Sequence, residues 1–549
     1  MIREPISVYC NWASYDELSD NVELTEALAT RQLDELIRLR RLGVRLDYYL
    51  MDCFWYAPDG GYRTWRRPHW PDGPDAWLAR CWEHGVKPGL WVATNNVVSP
   101  SKLDVIPEWK GSFDESCNAM CWFAGGYLDH FFETLDYWYV RGVRLYKFDF
   151  ANFAAAPTAL RETMLPSEIR AANISAFSGA MKAFRRTHPE VVMLAYNGFE
   201  EMNTQGRTDI PLRKSVDTRW LEAFDAMYCG DPRPADVPAM RFWRSKDVYS
   251  DHMVWRYVQN GIPFARIDNS GFMIGTTGTC YHRKTAAWKG MLLLGLARGG
   301  FANTYYGNLE LIDDADARWF ARVQDLILPL QPQSRMIGGV PGRGEPYAFL
   351  LADRTSGIYV CVNPSQTVAR LILDGATDGR IVFADAGFEP TLDGTTLTLG
   401  PEQLVVVGTG DHTLLDLGRQ TDVVIPRRIA RLEARCTSGE GRSIVVEPSA
   451  LPSSGRLRIV VRQTDAKGAA LRSTGGSPPH GRTLGRILEI RAHDGEREVP
   501  VAIEYDKAIW SGLSWAAGEI DLPVSALRVT CTTAESGAVL YAELHHVEY

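Results

Sequence analysis

Short apolar runs alternate with helix-length segments from Ile6 to about Gly307. Runs of roughly four to eight apolar residues without strict alternation are typical of parallel strands, which are buried on both faces. The intervening segment 24–42 has helical periodicity, and Gly43 follows it as a predicted C-cap. The runs that we interpret as strands cover residues 6–10, 46–52, 89–92, 145–150, 191–197, 224–228, 263–268 and 301–306.

Strands and helices that alternate in this number and over this length are typical of a (β/α)8 or TIM barrel. An open, doubly wound sheet is the competing architecture. No glycine-rich nucleotide loop follows any of these runs, which argues against a dinucleotide-binding or P-loop protein. The sequence therefore predicts a TIM barrel over residues 1–335.

The sequence pattern changes after a last predicted helix at about 313–330. Short strand-like runs divided by turns, such as 346–351 and 357–362, predict an antiparallel β-sandwich domain over residues 336–420. A further β-rich domain is predicted over 421–549. The predicted fold class is thus α/β, a TIM barrel followed by C-terminal antiparallel β-sandwich domains.

Composition and charge argue against several classes of partner. The chain has 549 residues, an apolar share of 45% and a charged share of 23%, as expected for a soluble globular protein of two or three domains. Its formal net charge of −8 argues against nucleic acid and against an anionic membrane surface as partners. The sequence does not fix the oligomeric state and leaves a homo-oligomer open.

The sequence shows no targeting or metal-binding signal. Residues 1–5 lack the charged start and apolar stretch of a secretory signal, and no run approaches the length of a membrane span. We therefore expect a cytoplasmic protein, or a secreted one if a signal has been removed. The ten cysteines lack the spacing of a zinc site, and neither a metal nor an organic cofactor is expected.

Polar side chains lie where the predicted strands end, which is where parallel barrels carry their chemistry. Lys147 and Asp149 are two residues apart on one strand and therefore point to the same side of it. A carboxylate whose ionised form is favoured by a nearby ammonium is a plausible nucleophile for glycosyl transfer. A structural ion pair at the rim of the sheet is the alternative. The other polar or aromatic residues at strand ends are Asp52, Trp55, Trp91, Asn197, Asp231 and Asp268.

A glycosidase needs a second carboxyl group, which protonates the leaving oxygen and lies about 5–5.5 Å from the nucleophile in retaining enzymes. Asp231 is the best-placed candidate, because it follows the sixth predicted strand, two strands beyond Asp149. Asp247 and Asp251, in the next segment, are rival acid/base candidates, and Asp268 at the end of the seventh strand is a further one. A plain Asp-Pro turn is the alternative explanation of Asp231.

The segment Lys147–Asp149 resembles the Lys-x-Asp nucleophile motif of clan D glycoside hydrolases, the retaining α-galactosidases and their relatives in families twenty-seven and thirty-six. Residues 86–91 resemble the third strand of that clan, and 49–55 lies where the clan carries an Asp-Asp-Gly-Trp motif. Residues 229–231, followed by Arg241, resemble its acid/base segment. The resemblance covers the barrel and the first sandwich.

This resemblance implies a retaining glycoside hydrolase, acting on α-galactosides or related glycosides through a covalent glycosyl-aspartate and without a cofactor. It implies that Asp149 attacks the anomeric carbon and that Asp231 acts as acid and then as base. Lys147 and Asp52 would hydrogen-bond sugar hydroxyls. The predicted substrate-binding residues are Asp52, Trp55, Trp91, Lys147, Asn197, Arg241 and Asp268.

The chain departs from clan D at Cys53, which stands where the clan has a second Asp that helps to hold the sugar. The glycone is therefore open between galactose, N-acetylgalactosamine, an arabinopyranose and another sugar. A non-catalytic carbohydrate-binding protein on a barrel scaffold is the alternative function, with Trp510 and Trp515 as either a binding platform or sandwich core. The intact Lys147 and Asp149 favour an enzyme.

Overall fold

The computed structural model describes residues 4–12, 24–53, 55–57, 61–96, 107–199, 217–229, 242–275, 287–439, 442–469, 471, 488–503 and 515–549. The chain forms two compact units. The first comprises Met1–Gly230, Tyr257–Ser270 and Gly300–Gln324. The second comprises Asp231–Arg256, Gly271–Gly299 and Asp325–Tyr549.

Eight parallel strands, numbered β1 to β8 along the chain, close into a barrel in the order β1, β8, β7, β6, β5, β4, β3, β2. Cys10 of β1 pairs with both Tyr306 of β8 and Leu50 of β2, which closes the ring. The predicted barrel is confirmed, and an open sheet is excluded. The strands are β1 Ile6–Cys10, β2 Tyr48–Met51, β3 Lys87–Ala93, β4 Leu145–Asp149, β5 Val192–Ala195, β6 Ala226–Tyr228, β7 Ile267–Ile274 and β8 Ala302–Gly307.

Helices separate the strands. The first begins after Thr25, whose side chain accepts a hydrogen bond from the amide of Leu28, and Gly43 follows it with a φ of 97°, as its predicted capping role requires. The helices are α1 Glu26–Arg41, α2 Asp75–Glu83, α3 Tyr127–Val140, α4 Thr158–Arg161, α5 Pro166–Thr187, α6 Phe242–Gln259, α7 Trp288–Ala297 and α8 Asp314–Ile327. None of the described helices has the length and apolar composition needed to cross a membrane.

The seventh strand differs from its prediction. A 3-10 turn occupies Phe264–Arg266, and β7 runs from Ile267 to Ile274. Pro263 has no amide hydrogen for a strand ladder, and the guanidinium of Arg266 donates to the carbonyl oxygen of Asp225 at 2.7 Å. Asp268 is therefore the second residue of its strand and not the last, as the sequence had suggested, although it pairs with Tyr228 at the end of β6.

The C-terminal part of the second unit consists of β-sheets, as predicted. The first is six-stranded, in the order Arg335–Gly338, Tyr347–Ala352, Gly357–Val362, Leu404–Thr409, Arg380–Ala386 and Gly418–Val424. A three-stranded sheet has the order Ala369–Ile372, Thr396–Leu399 and Thr391–Asp393. One five-stranded sheet has the order Arg428–Leu432, Val539–Glu548, Arg456–Thr464, Trp515–Asp521 and Ala502–Ile503. The other has the order Ala434–Ser438, Ser443–Pro448, Leu527–Thr533, Leu488–Asp494 and Arg497–Val499.

Strand pairing in these sheets is antiparallel with one exception. Gly418–Val424 pairs with Arg380–Ala386 in parallel, so the predicted boundary near residue 420 falls inside a strand of the first sheet. Tyr359, Cys361 and Val405 belong to the buried apolar cluster of this part of the chain. The division into a domain at 336–420 and another at 421–549 stays a prediction.

Candidate active site

Lys147 and Asp149 point into the barrel. Phe148, which lies between them on β4, packs instead against Phe131 of α3 and Phe177 of α5 on the outside of the barrel. Successive side chains of a strand point to opposite faces, so the two charged residues share the inner face. Both are buried, at 5% and 6% exposure. The predicted common direction of the pair is confirmed.

Four hydrogen-bond donors hold the carboxylate of Asp149. Its Oδ1 atom accepts from the amide of Phe150 at 2.9 Å, and from the amide and the side-chain Nδ2 of Asn197 at 3.2 and 3.0 Å. Its Oδ2 atom accepts from the indole nitrogen of Trp91 at 3.0 Å. Such donors favour an ionised carboxylate and fix its orientation.

Two unusual backbone conformations lie beside these donors. Phe150, whose amide donates to Asp149, has a φ of 52°, which is rare for a residue with a side chain. Gly198 has a φ of 99°, and a Cβ atom there would lie 2.0 Å from the carbonyl oxygen of Ala151. Glycine at 198 therefore lets the loop after β5 run against the loop after β4, where the amide of Ala151 donates to the carbonyl oxygen of Asn197 at 3.0 Å.

Lys147 forms an ion pair with Asp52. The ammonium nitrogen lies 2.8 Å from Oδ2 of Asp52, which is 1% exposed. Asp52 is itself held by the thiol of Cys10 on Oδ2 at 3.1 Å and by the amide of Cys53 on Oδ1 at 2.8 Å. Its own amide donates to Oδ1 of Asn11 at 2.8 Å. A buried charge pair requires this additional hydrogen bonding to offset the loss of water.

Three tyrosines line the barrel interior next to Lys147 and are not among the predicted site residues. The ammonium of Lys147 lies 4.2 Å from the ring centroid of Tyr196 and 6.0 Å from that of Tyr306. The hydroxyl groups of Tyr196 and Tyr306 are 2.8 Å apart, and the ring of Tyr228 stacks on Tyr196 with centroids 4.3 Å apart. A tyrosine directly before a polar strand end, as Tyr196 before Asn197, is the one sequence signal that could have indicated them.

Burial and nearby charges shift the pKa values of two side chains in the barrel, Lys147 and Asp268. Burial by itself lowers the pKa of Lys147, but the negative charges around it, Asp52 foremost, more than offset this and raise its pKa above the ordinary value. Lys147 is therefore charged across the physiological range. Burial raises the pKa of Asp268 to about 6, against the opposing effect of its hydrogen bonds and of the charge of Lys147. Thr304 donates to Oδ1 of Asp268 at 2.7 Å.

The two predicted tryptophans have different environments. Trp91 contacts Asp149 directly and stacks with Tyr56 at 6.1 Å and an interplanar angle of 10°. Trp55 is fully buried, packs against Trp65 at 4.9 Å, and donates its indole N–H to the carbonyl oxygen of Trp91 at 2.9 Å. Trp55 thus supports the strand that carries Trp91, and its predicted role in walling the pocket stays a prediction.

The acid/base candidates other than Asp268 lie in the second unit or outside the described residues. Asp231 and Arg241 lie outside the described residues, so their roles stay predictions. Asp247 and Asp251 belong to the second unit, where both are buried in ion pairs. Asp247 pairs with Arg244 at 3.2 Å, and Asp251 with Arg298.

Further partners hold the two ion pairs of α6. The hydroxyl of Tyr347 donates to Asp251, whose pKa burial raises to about 6 against the opposing charge of Arg298. Arg244 also pairs with Asp385 at 2.9 Å. These contacts give Asp247 and Asp251 structural partners within the second unit.

Several buried polar groups of the barrel have spare hydrogen-bonding capacity. The ammonium of Lys147 carries three N–H groups and donates to Asp52 alone among the described residues. Oδ2 of Asp268 and the hydroxyl of Thr94, which follows β3, are buried and have no hydrogen-bond partner in the described part of the chain. Because buried polar groups are normally paired, these groups could accept or donate further hydrogen bonds. Within the same residues, no group of three His, Cys, Asp or Glu side chains could hold a metal ion.

Buried carboxylates, an ammonium and aromatic rings thus lie at the strand ends of a closed parallel barrel, which is where barrels of this kind carry their functional groups. By sequence, the chain matches no family model and no curated protein. Its fold, however, is similar to the folds of several solved glycoside hydrolases.

The fold is similar to that of a family 36 α-galactosidase from Geobacillus stearothermophilus in complex with raffinose, with a TM-score of 0.53 and 14% identity over 74% of this chain and 56% of that one. It is also similar to an α-galactosidase from Lactobacillus brevis, with a TM-score of 0.54 and 12% identity over 74% of this chain and 55% of that one. This chain therefore spans little more than half the length of these enzymes.

A trehalose-6-phosphate hydrolase from Bacillus licheniformis has a TM-score of 0.51 and 9% identity over 74% of this chain and 99% of that one. At these identities the likeness is one of fold. The expected resemblance to clan D is confirmed at the level of the fold.

Proposed function

We propose that this chain is a retaining glycoside hydrolase whose substrates are α-galactosides or closely related glycosides. The observation that carries the proposal is the hydrogen bonding of Asp149, in which three donors hold Oδ1 and the indole of Trp91 holds Oδ2. A nucleophile held in this way needs little reorganisation before it attacks, because its orientation is already set.

In the proposed first step, an oxygen of Asp149 attacks the anomeric carbon, and the bond from that carbon to the leaving oxygen breaks. Asp231 gives its proton to the leaving oxygen, so an alcohol departs and a glycosyl ester of Asp149 remains. In the second step Asp231 takes a proton from water, whose oxygen attacks the anomeric carbon and frees the carboxylate of Asp149. Two inversions at the same carbon retain the configuration.

The spare polar groups of the barrel support a ligand that is rich in hydroxyl groups. Each hydroxyl both donates and accepts a hydrogen bond, so one sugar ring could accept from Lys147 and donate to Oδ2 of Asp268. Lys147, which is charged and hydrogen-bonded to Asp52, would bind those hydroxyls of the sugar that are remote from the anomeric carbon. The solved structure with raffinose offers a precedent for a carbohydrate on this fold.

The glycone is open between galactose, N-acetylgalactosamine and β-L-arabinopyranose. Assay of a panel of nitrophenyl α- and β-glycosides, followed by NMR of the first-formed sugar anomer, tests activity and stereochemistry separately. We expect hydrolysis of at least one of the three corresponding glycosides with retention. Inversion would exclude a covalent intermediate on Asp149, and inertness of all three would exclude the proposed specificity.

Trapping tests the nucleophile. A 2-deoxy-2-fluoro glycosyl fluoride of the preferred sugar should label the peptide that contains Asp149, and Asp149→Asn should abolish both labelling and hydrolysis. Asp72→Asn, at an exposed aspartate of the same unit, is the matched control and should leave both unchanged. If the parent protein binds these sugars without hydrolysing any glycoside, the protein is a carbohydrate-binding barrel and the enzymatic proposal is wrong.

A further inference from the structure

Lys147 has two neighbours of different kinds inside the barrel. Its ammonium donates to Asp52 at 2.8 Å and lies over the ring of Tyr196, 4.2 Å from the centroid. Lysine has a flexible four-carbon stem, so one hydrogen bond does not by itself fix the direction of its other two N–H groups. A ring face beneath the ammonium adds a second, direct attraction that grows when water is excluded.

The ring of Tyr196 is held on one face and at its hydroxyl. Tyr228 stacks on it with an interplanar angle of 12°. The hydroxyl lies 2.8 Å from that of Tyr306, which is on β8, and two strands, β6 and β7, lie between β5 and β8 in the barrel. The hydroxyl pair therefore spans the barrel interior, and Trp12 contacts Tyr306 edge-on at 6.1 Å.

We propose that Tyr196 is a positioning residue that acts through Lys147: its ring face holds the ammonium against Asp52 and leaves N–H groups directed to hydroxyls of the bound glycone. The proposal rests on the proposed function, since it takes a sugar as the ligand. We expect the contacts from Lys147 to be made to hydroxyls remote from the anomeric carbon, and equally in the ground state and the transition state. Loss of such contacts raises KM and leaves kcat nearly unchanged.

Fluorinated phenylalanines at position 196 test this without changing the shape of the side chain. Tyr196→Phe keeps the ring but removes a hydroxyl that contacts Tyr306 and Asp268, so it serves as the reference for the fluorinated series and separates the loss of the hydroxyl from the change in the ring face. Mono-, di- and trifluorinated phenylalanine weaken the negative ring face step by step, and KM should rise with each step to about tenfold, with kcat nearly constant. A KM that does not change across the series, or a loss confined to kcat, would overturn the proposal.

A second measurement does not depend on hydrolysis. Acetylation of Lys147 by an amine-directed reagent, followed by mass spectrometry of the peptide, should become faster along the same fluorinated series. Tyr305→Phe is the matched control. Tyr305 is a buried tyrosine on β8, and its hydroxyl is hydrogen-bonded to Gln324. It should leave both KM and the acetylation rate unchanged.

The two measurements separate the two proposals. If the parent protein hydrolyses no glycoside but acetylation follows the series, the proposed function is wrong and the positioning of Lys147 by the ring holds. If glycosides are hydrolysed but neither KM nor acetylation changes, the function holds and Tyr196 has only a packing role. Acetylation that stays constant overturns the inference in either case.

Discussion

The ammonium of Lys147 lies 2.8 Å from a carboxylate oxygen of Asp52, although the two residues are 95 positions apart and β3 lies between their strands. Lys147 therefore bonds across the barrel interior to β2, while Asp149, two residues further on the same strand, is held by Trp91 and Asn197. Lys147 and Asp149 thus belong to two different hydrogen-bonding networks.

Loss of Lys147 should destabilise the protein. Lys147→Met leaves Asp52 charged and buried, and we expect the free energy of unfolding of the barrel to fall by about 3–5 kcal/mol. Urea unfolding followed by tryptophan fluorescence would measure this. Adding Asp52→Asn to Lys147→Met should recover part of the loss, because the unpaired charge is gone.

An exposed ion pair of the same type gives the control for this prediction. Lys182 pairs with Glu222 on the surface, with 42% and 66% of the side chains exposed. Lys182→Met should change the free energy of unfolding by less than about 1 kcal/mol. Equal effects at Lys147 and Lys182 would contradict the assignment of a buried pair.

Gly198 should not tolerate a side chain. In Gly198→Ala the new Cβ meets the carbonyl oxygen of Ala151 at 2.0 Å, and the loop that brings Asn197 to Asp149 must move. We expect kcat to fall at least about tenfold, because misplacing a held nucleophile is costly. Gly179→Ala, in an exposed part of α5 with open space around the new Cβ, should instead raise the free energy of unfolding by up to about 1 kcal/mol.

The raised pKa of Asp268 should make stability depend on pH. Its folded-state pKa of about 6 lies above the ordinary value of 3.8, so folding favours the protonated form. The contribution of Asp268 to the free energy of unfolding is fully present below about pH 4 and is lost as pH rises through about 6. The loss amounts to about 3 kcal/mol in total. Asp268→Asn removes the titrating group.

The difference between the parent protein and Asp268→Asn isolates this contribution. The buried Asp251 and Asp385 of the second unit also have pKa values raised to about 6 and act with the same sign in both proteins. Urea unfolding at pH 4 and pH 7 should therefore show a smaller pH-dependent change in the variant. An identical change in both proteins would contradict a raised pKa at Asp268.

Leaving-group dependence should distinguish Asp231 from its rivals Asp247 and Asp251 as the general acid. A general acid matters most for poor leaving groups, so Asp231→Asn should lose most activity on an alkyl glycoside while retaining activity on a dinitrophenyl glycoside. Asp251→Asn and Asp247→Asn should lower the thermal unfolding midpoint, because each leaves an arginine without its full charge partner, and should not show this dependence. If Asp247→Asn or Asp251→Asn showed the leaving-group dependence and Asp231→Asn did not, the general acid would be a residue of α6.

Much of the fold could be predicted because it depends on local pattern. Gly357–Val362 lies where its apolar run predicted, and α1 ends before Gly43 as its periodicity and capping residue indicated. Where the prediction failed, at β7, a side chain distant in sequence was involved: Arg266 binds the carbonyl oxygen of Asp225 and holds a turn where the apolar run favoured a strand. No local pattern contains that bond.

The sequence by itself determined the alternation of strands and helices and the common direction of Lys147 and Asp149, because these patterns depend on neighbouring residues alone, whereas closure of the sheet was decided by the pairing of β1 with β8. Only the tertiary structure decided the partners: Asp52 for the ammonium, Asn197 for the carboxylate, and Tyr196 beneath Lys147. These contacts join strands that are far apart along the chain, and they form only when the closed barrel sets which inward side chains meet at one level.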